Sequence, residues 1–183
     1  MKLIILIFFA FSFAKSHSLE TLKTRDDDNV AIVQDLFNGF WAFANLTEPK
    51  GLAQKCFDEP TAKLLVDTAN QTMYYLVQNN FFKAVQVAST LYHKVPPETN
   101  QCMNDSPYTQ EMYDAYGLKN YTVVQMSGKF ATYMLTHIDE CKKDVVVANN
   151  HFQAADYFSV GEDGGRFTWK VFHGEKEIGS ILI

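Results

Sequence analysis

From Val30 the apolar residues Val30, Val33, Phe37, Phe40, Trp41 and Ala44 return at three- and four-residue steps. That period puts them on one face of a helix and excludes a strand, whose sides alternate every second residue. The same period returns further along. Leu65, Ala69, Met73 and Leu76 mark a helix over 61–77, and Phe82, Val85, Ala88 and Leu91 one over 81–93. Val123, Val124, Met126, Phe130, Tyr133 and Met134 mark one over 121–136, apolar on several sides and therefore central. Segments 139–152 and 154–172 complete the set. The expected fold is all-α, a single disulfide-stapled helical bundle of roughly five to seven helices.

Punctuation agrees with the period. Asp58-Glu-Pro60 offers a capping carboxylate, an acidic first turn and a proline where no intrahelical N–H is needed. Pro96-Pro97 stops the third helix, and a tyrosine-rich piece from Tyr108 to Tyr116 reads as a short helix or an ordered loop. Gly39 inside the first helix sacrifices about 1 kcal/mol of propensity, which points to close backbone packing or a local break. Gly161 and Gly165 lie four apart. On a continuous helix they let a second helix approach; the other reading is a loop over 161–165. Phe167 to Phe172 is the one stretch with a hint of strand character.

The chain begins with Lys2, an apolar run from Leu3 to Phe13 broken only by Ser12, and the Ser12-Phe13-Ala14 exit. Too short to span a bilayer, residues 1–14 have the form of a cleaved secretory signal. Residues 15–29, with Asp26, Asp27 and Asp28, read as a flexible polar leader that caps the first helix, 30–173 as the helical domain and 174–183 as an apolar tail ending Ile181-Leu182-Ile183. The chain carries a net charge of −5, and losing Lys2 with the signal takes it to −6, with no basic block. Phosphate recognition needs a basic face, so nucleic acid is excluded as an expected partner. No later segment reaches membrane-spanning length.

Export sets the cysteine chemistry. Cys56, Cys102 and Cys141 allow three pairings and leave one thiol over. Cys56 with Cys102 is favoured, each at the edge of a helical segment beside turn residues, whereas Cys141 opens a strongly helical run. Export also makes the Asn-x-Ser/Thr triplets usable: Asn45, Asn70 and Asn120 are the candidate glycan carriers, with Asn104 weakened by Asp105 and Pro107 around its acceptor.

Phe37-Asn-Gly-Phe40, Cys56 followed by two helices and Cys102, and the closing Asp156-Tyr-Phe-Ser-Val-Gly161-Glu-Asp-Gly-Gly165 together resemble a group of small secreted helical proteins abundant in ciliated protists. The resemblance spans nearly the whole mature chain. It implies an all-helical secreted domain with one bridge, and neither an activity nor catalytic residues. Cys141 departs from the two-cysteine pattern.

Chemistry is sparse. Gly-x-Ser-x-Gly and phosphate loops are absent. His137 and Cys141, one helical turn apart, are the nearest approach to an activated thiolate or a zinc site, with His151 as a third ligand. Glu162 with Asp163, and Glu111 with Asp114, are carboxylate pairs that need a cleft to act together. No cofactor or metal is expected. Aromatic bulk, including Trp41, Phe37, Phe40, Phe82, Phe130 and Trp169, either fills a wide core, lines an apolar cavity or forms an exposed patch. The expected function is a non-catalytic structural or interaction protein that buries apolar surface, including Ile181, Leu182 and Ile183, against a protein partner or a second copy, with Cys141 as a further contact. The rivals are a carrier of an apolar small molecule and an enzyme using His137 and Cys141.

Overall fold

Each long helix except α8 begins on a side chain that accepts a free backbone N–H. In the computed structural model, which describes residues 28–78 and 80–174, Asp28 accepts from the Val30 amide at 2.9 Å and opens α1, Asn29–Phe43. Asp58 accepts from the Thr61 amide at 2.9 Å and opens α3, Glu59–Val77, after the short α2, Leu52–Cys56. That bond holds the Asp58 carboxyl below the ordinary carboxylate range. Asn80 caps α4, Phe81–Lys94. The signal segment, the leader up to residue 27 and the tail with Ile181, Leu182 and Ile183 lie outside the described residues, as does the side chain of Val85.

Pro96-Pro97 ends α4 and also starts a helix. Pro97 occupies the first turn of α5, Pro97–Asn104, and Pro107 that of α6, Pro107–Ala115. A reciprocal capping box between Thr122 and Gln125 opens α7, Val123–Thr136. α8, Ile138–Gln153, follows directly, and α9, Tyr157–His173, starts on the Asp156 cap. The expected last helix from Ala154 thus begins later, because Ala155 sits at φ 55° and breaks the chain before Asp156. Nine helices and no strand occur among the described residues. The count exceeds the expected range because α2, α5 and α6 are too short to show a period, and the stretch Phe167 to Phe172 is helical.

α1 and α9 form the central pair. Numbering rises together along their contact, so they run in the same direction where they touch. A Cβ placed on Gly39 would stand 1.9 Å from the Phe158 carbonyl oxygen, one on Gly161 2.3 Å from that of Leu36, and one on Gly165 2.6 Å from the Tyr116 hydroxyl. α9 is continuous through Gly161 and Gly165; at Gly39 and Gly161 backbone lies against backbone, and Gly165 makes room for the Tyr116 hydroxyl and Phe43.

The remaining helices cover this pair. α3 lies on α1, and α4 returns along α3. α8 packs on α9 and α3, and α7 covers α9 through Phe130, whose ring stacks on Phe167 with centroids 5.8 Å apart. α2 contacts α1 and α5. The Cys56–Cys102 disulfide ties these short helices, as expected, across a sequence separation of 46. In the loop-entropy picture such a bridge contributes about 4 kcal/mol.

Trp41, Tyr116, Phe37, Phe40, Phe130 and Phe167 are fully buried, so most of the aromatic bulk fills the core. Each contributes roughly 2–3 kcal/mol by burial. Two buried polar contacts fix the loops around α1. Gln34 donates to the Pro49 carbonyl at 2.9 Å and accepts from the Ala53 amide at 3.0 Å, clamping the α1–α2 loop. Trp41 Nε1 donates to the Tyr108 carbonyl at 3.0 Å and seats α6.

Candidate functional site

His137 stands at the junction of α7 and α8 with its ring flat on Tyr133, centroids 4.3 Å apart. Its Nδ1 lies 2.8 Å from the Thr136 hydroxyl. Cys141 follows one turn later, its amide donating to the His137 carbonyl, but its side chain turns into the core with no exposure. Burial, with the nearby Asp144 carboxylate, pushes the thiol up to about 12. That keeps the sulfur protonated at neutral pH, the reverse of an activated thiolate. It also places Cys141 as a core side chain beyond the reach of a docking partner.

His151 sits ten residues along α8, about 15 Å down the axis from Cys141 at 1.5 Å per residue. Its Nδ1 faces Asp163 at 2.8 Å across the α8–α9 seam. Among the described residues no three His, Cys, Asp or Glu side chains gather to hold a metal ion.

The carboxylate pairs also disperse. Asp163 is taken by His151 and by Arg166 at 3.3 Å, and burial pushes its carboxyl above the ordinary range while the His151 hydrogen bond pulls it back. Glu162, its neighbour, is likewise raised by burial. Asp114 faces solvent beside Lys119 at 3.1 Å. Further along the seam Lys170 holds Asp144 at 2.8 Å. Asp163 and Asp144 join α8 to α9.

Two open grooves border α5. One, of about 510 Å³, is lined by Lys55, Asp58, Glu98 and the disulfide; the other, of about 590 Å³, by His93, Asn100, Gln101 and Asp105. Both lie open to solvent, which does not suit an enclosed apolar ligand.

The surface does carry apolar side chains that sequence period misplaced. Phe82, expected in the core, is 83% exposed because α4 buries Ala84, Ala88 and Leu91 instead. Leu135 in the last turn of α7 is 71% exposed and Ile138 opens α8. Ile138, Lys142 and Val146 then fall at steps of four along the outer face of α8, with the exposed Val147 beside them. The Lys142 stem can lie along this stripe with its ammonium in water. α8 buries Cys141, Val145, Ala148 and Phe152 on its other side, so the stripe is a second apolar face on a helix whose first face is already used.

The sequons separate by environment. Asn45 and Asn120 are exposed in turns, after α1 and before α7, whereas Asn70 is half-buried on α3 and Asn104 half-buried at the end of α5. No helix among the described residues is long and apolar enough to cross a membrane. Comparison with protein-family models, curated proteins and solved structures found no match.

Proposed function

We propose that this chain is an exported glycoprotein that works without catalysis, as a structural or interaction protein whose apolar helix surface docks against a protein partner or a second copy of itself. The observation that carries this reading is the outward stripe Leu135, Ile138, Val146 and Val147 at the α7–α8 elbow and along α8. A lone exposed valine is ordinary. Apolar residues in register along a helix whose opposite face already fills the core are a binding face in form. The signal-like start of the sequence and the resemblance to small secreted helical proteins of ciliated protists support export. The protonated, buried Cys141 supports a non-catalytic role over a thiol enzyme.

The test is native mass spectrometry and sedimentation of the secreted protein beside a Leu135→Ser, Val146→Ser, Val147→Ser variant. The expected result is an oligomer or a complex with another chain that the variant loses while keeping its Tm. A monomer carrying one apolar molecule per chain overturns the reading in favour of a carrier.

A further inference from the structure

We infer that Asn45 and Asn120 carry N-linked oligosaccharides and that Asn70 and Asn104 do not. This rests on the export reading above and deepens it, since it places the modification on the folded surface.

The reaction forms a bond from the side-chain amide nitrogen to the anomeric carbon of an oligosaccharide carried on a lipid pyrophosphate. The carbon–oxygen bond to the pyrophosphate breaks, the lipid pyrophosphate leaves with the electron pair, and the amide gives up one proton. The acceptor must therefore offer its amide and the hydroxyl two residues later to an enzyme before folding, and leave room for the product after folding.

Asn45 and Asn120 meet both conditions. Asn45 follows the last turn of α1 at φ 55°, and both it and Thr47 are exposed. Asn120 lies in the turn between α6 and α7, exposed, with Thr122 also at the surface. Asn70, half-buried, fails the second. It lies mid-helix in α3, where Thr72 is buried and its hydroxyl donates to the Thr68 carbonyl at 2.8 Å. Asn104 accepts from the Tyr113 hydroxyl at 3.4 Å, and its acceptor Ser106 is buried directly before Pro107.

Placement follows from the chain path. The Tyr116 hydroxyl bonds the Phe40 carbonyl at 2.9 Å, and Asn45 and Asn120 leave from the two sides of that contact, five and four residues on. Asn120 precedes α7, while Leu135 is in its final turn; a helix of 14 residues spans about 21 Å. The Asn120 sugar thus stands at the start of α7, one helix length from Leu135.

The test expresses the full chain in a eukaryotic secretory host and maps sites by deglycosylation in heavy-oxygen water, which tags each formerly occupied asparagine. The expected result is tagged Asn45 and Asn120 in the bulk of the secreted chains, untagged Asn70 and Asn104, and loss of one of two mobility steps in Asn45→Gln and in Asn120→Gln. Thr47→Ala repeats the first loss without altering the residue at φ 55°. Sugar on Asn70 or Asn104, or a secreted chain bare at Asn45 or Asn120, overturns the assignment. A parallel chain with residues 1–14 replaced by the host's own signal keeps the two readings apart: if only that chain is exported and it is tagged at Asn45 and Asn120, export by the native start fails and the site assignment stands.

Discussion

The hydroxyl of Tyr116 donates to the carbonyl oxygen of Phe40, 76 positions away in sequence, at the end of α1 where carbonyls run short of helical partners. The phenol is fully buried and held well above its ordinary 10.0 by burial. Tyr116→Phe leaves that carbonyl without this donor and is expected to cost about 1–3 kcal/mol by urea unfolding. The pH dependence has a definite sign. The folded state holds the phenolic proton more tightly than the unfolded one, so this contribution is full below the unfolded pKa of 10.0 and falls as pH rises above it. Wild type therefore loses stability above that pH more steeply than Tyr116→Phe, as paired alkaline melts will show.

Replacing a helical glycine by alanine ordinarily adds up to about 1 kcal/mol of stability through propensity. At Gly128, mid-α7 and exposed with nothing within 4 Å of an added Cβ, that gain is expected as a raised Tm. At Gly161 the same methyl meets the Leu36 carbonyl oxygen at 2.3 Å, so backbone has to move. Gly161→Ala is expected to destabilise by about 2 kcal/mol or more, as overpacking does. Opposite signs from one chemical change test the α1–α9 crossing directly.

Cys141 is expected to resist iodoacetamide in the native protein at pH 8 and to react fully in guanidinium. Its thiol, held at about 12 by burial, offers almost no thiolate, and its sulfur is covered on all sides. Rapid native labelling, read by intact mass, would contradict that packing.

Asp163 titrates above the ordinary carboxylate range because it is buried. Its charged form is therefore disfavoured by folding, and acidification through the shifted pKa down to 3.8 adds stability from this group. Asp163→Asn is expected to change stability at pH 7 by less than about 1 kcal/mol and to steepen the loss on acidification. Removing the His151 hydrogen bond in His151→Ala should raise the Asp163 pKa further, as a carbon-13 carboxyl titration will report.

Local signals were legible where a single turn or face carries them. Asp58-Glu-Pro60 does cap α3, the Val33, Phe37, Phe40 and Trp41 face is the buried one, and Gly39 marks backbone packing. Proline misleads by its double meaning: Pro97, expected only to stop the preceding helix, also begins α5. Phe82 misled because three-residue spacing fits two overlapping faces of α4, and the smaller residues Ala84 and Ala88 won the contact with α3. The Gln34 clamp and the Tyr116 bond to Phe40 are invisible to periodicity, since each joins a polar atom to backbone far away in sequence. The elbow stripe was equally hidden, because the apolar run Val145-Val146-Val147 gives no sign of which valine turns outward.

Because α1 and α9 make the central crossing, this core closes only once α9 has been synthesised. Some 120 residues separate Phe40 from Gly161, about 6–24 s of translation at ordinary rates. Through that interval the flank of α1 that will receive α9 has no partner, and a chain stopped before Tyr157 never gains one. Termination ahead of α9 therefore leaves the glycine-lined flank of α1 bare, an apolar surface open to other chains.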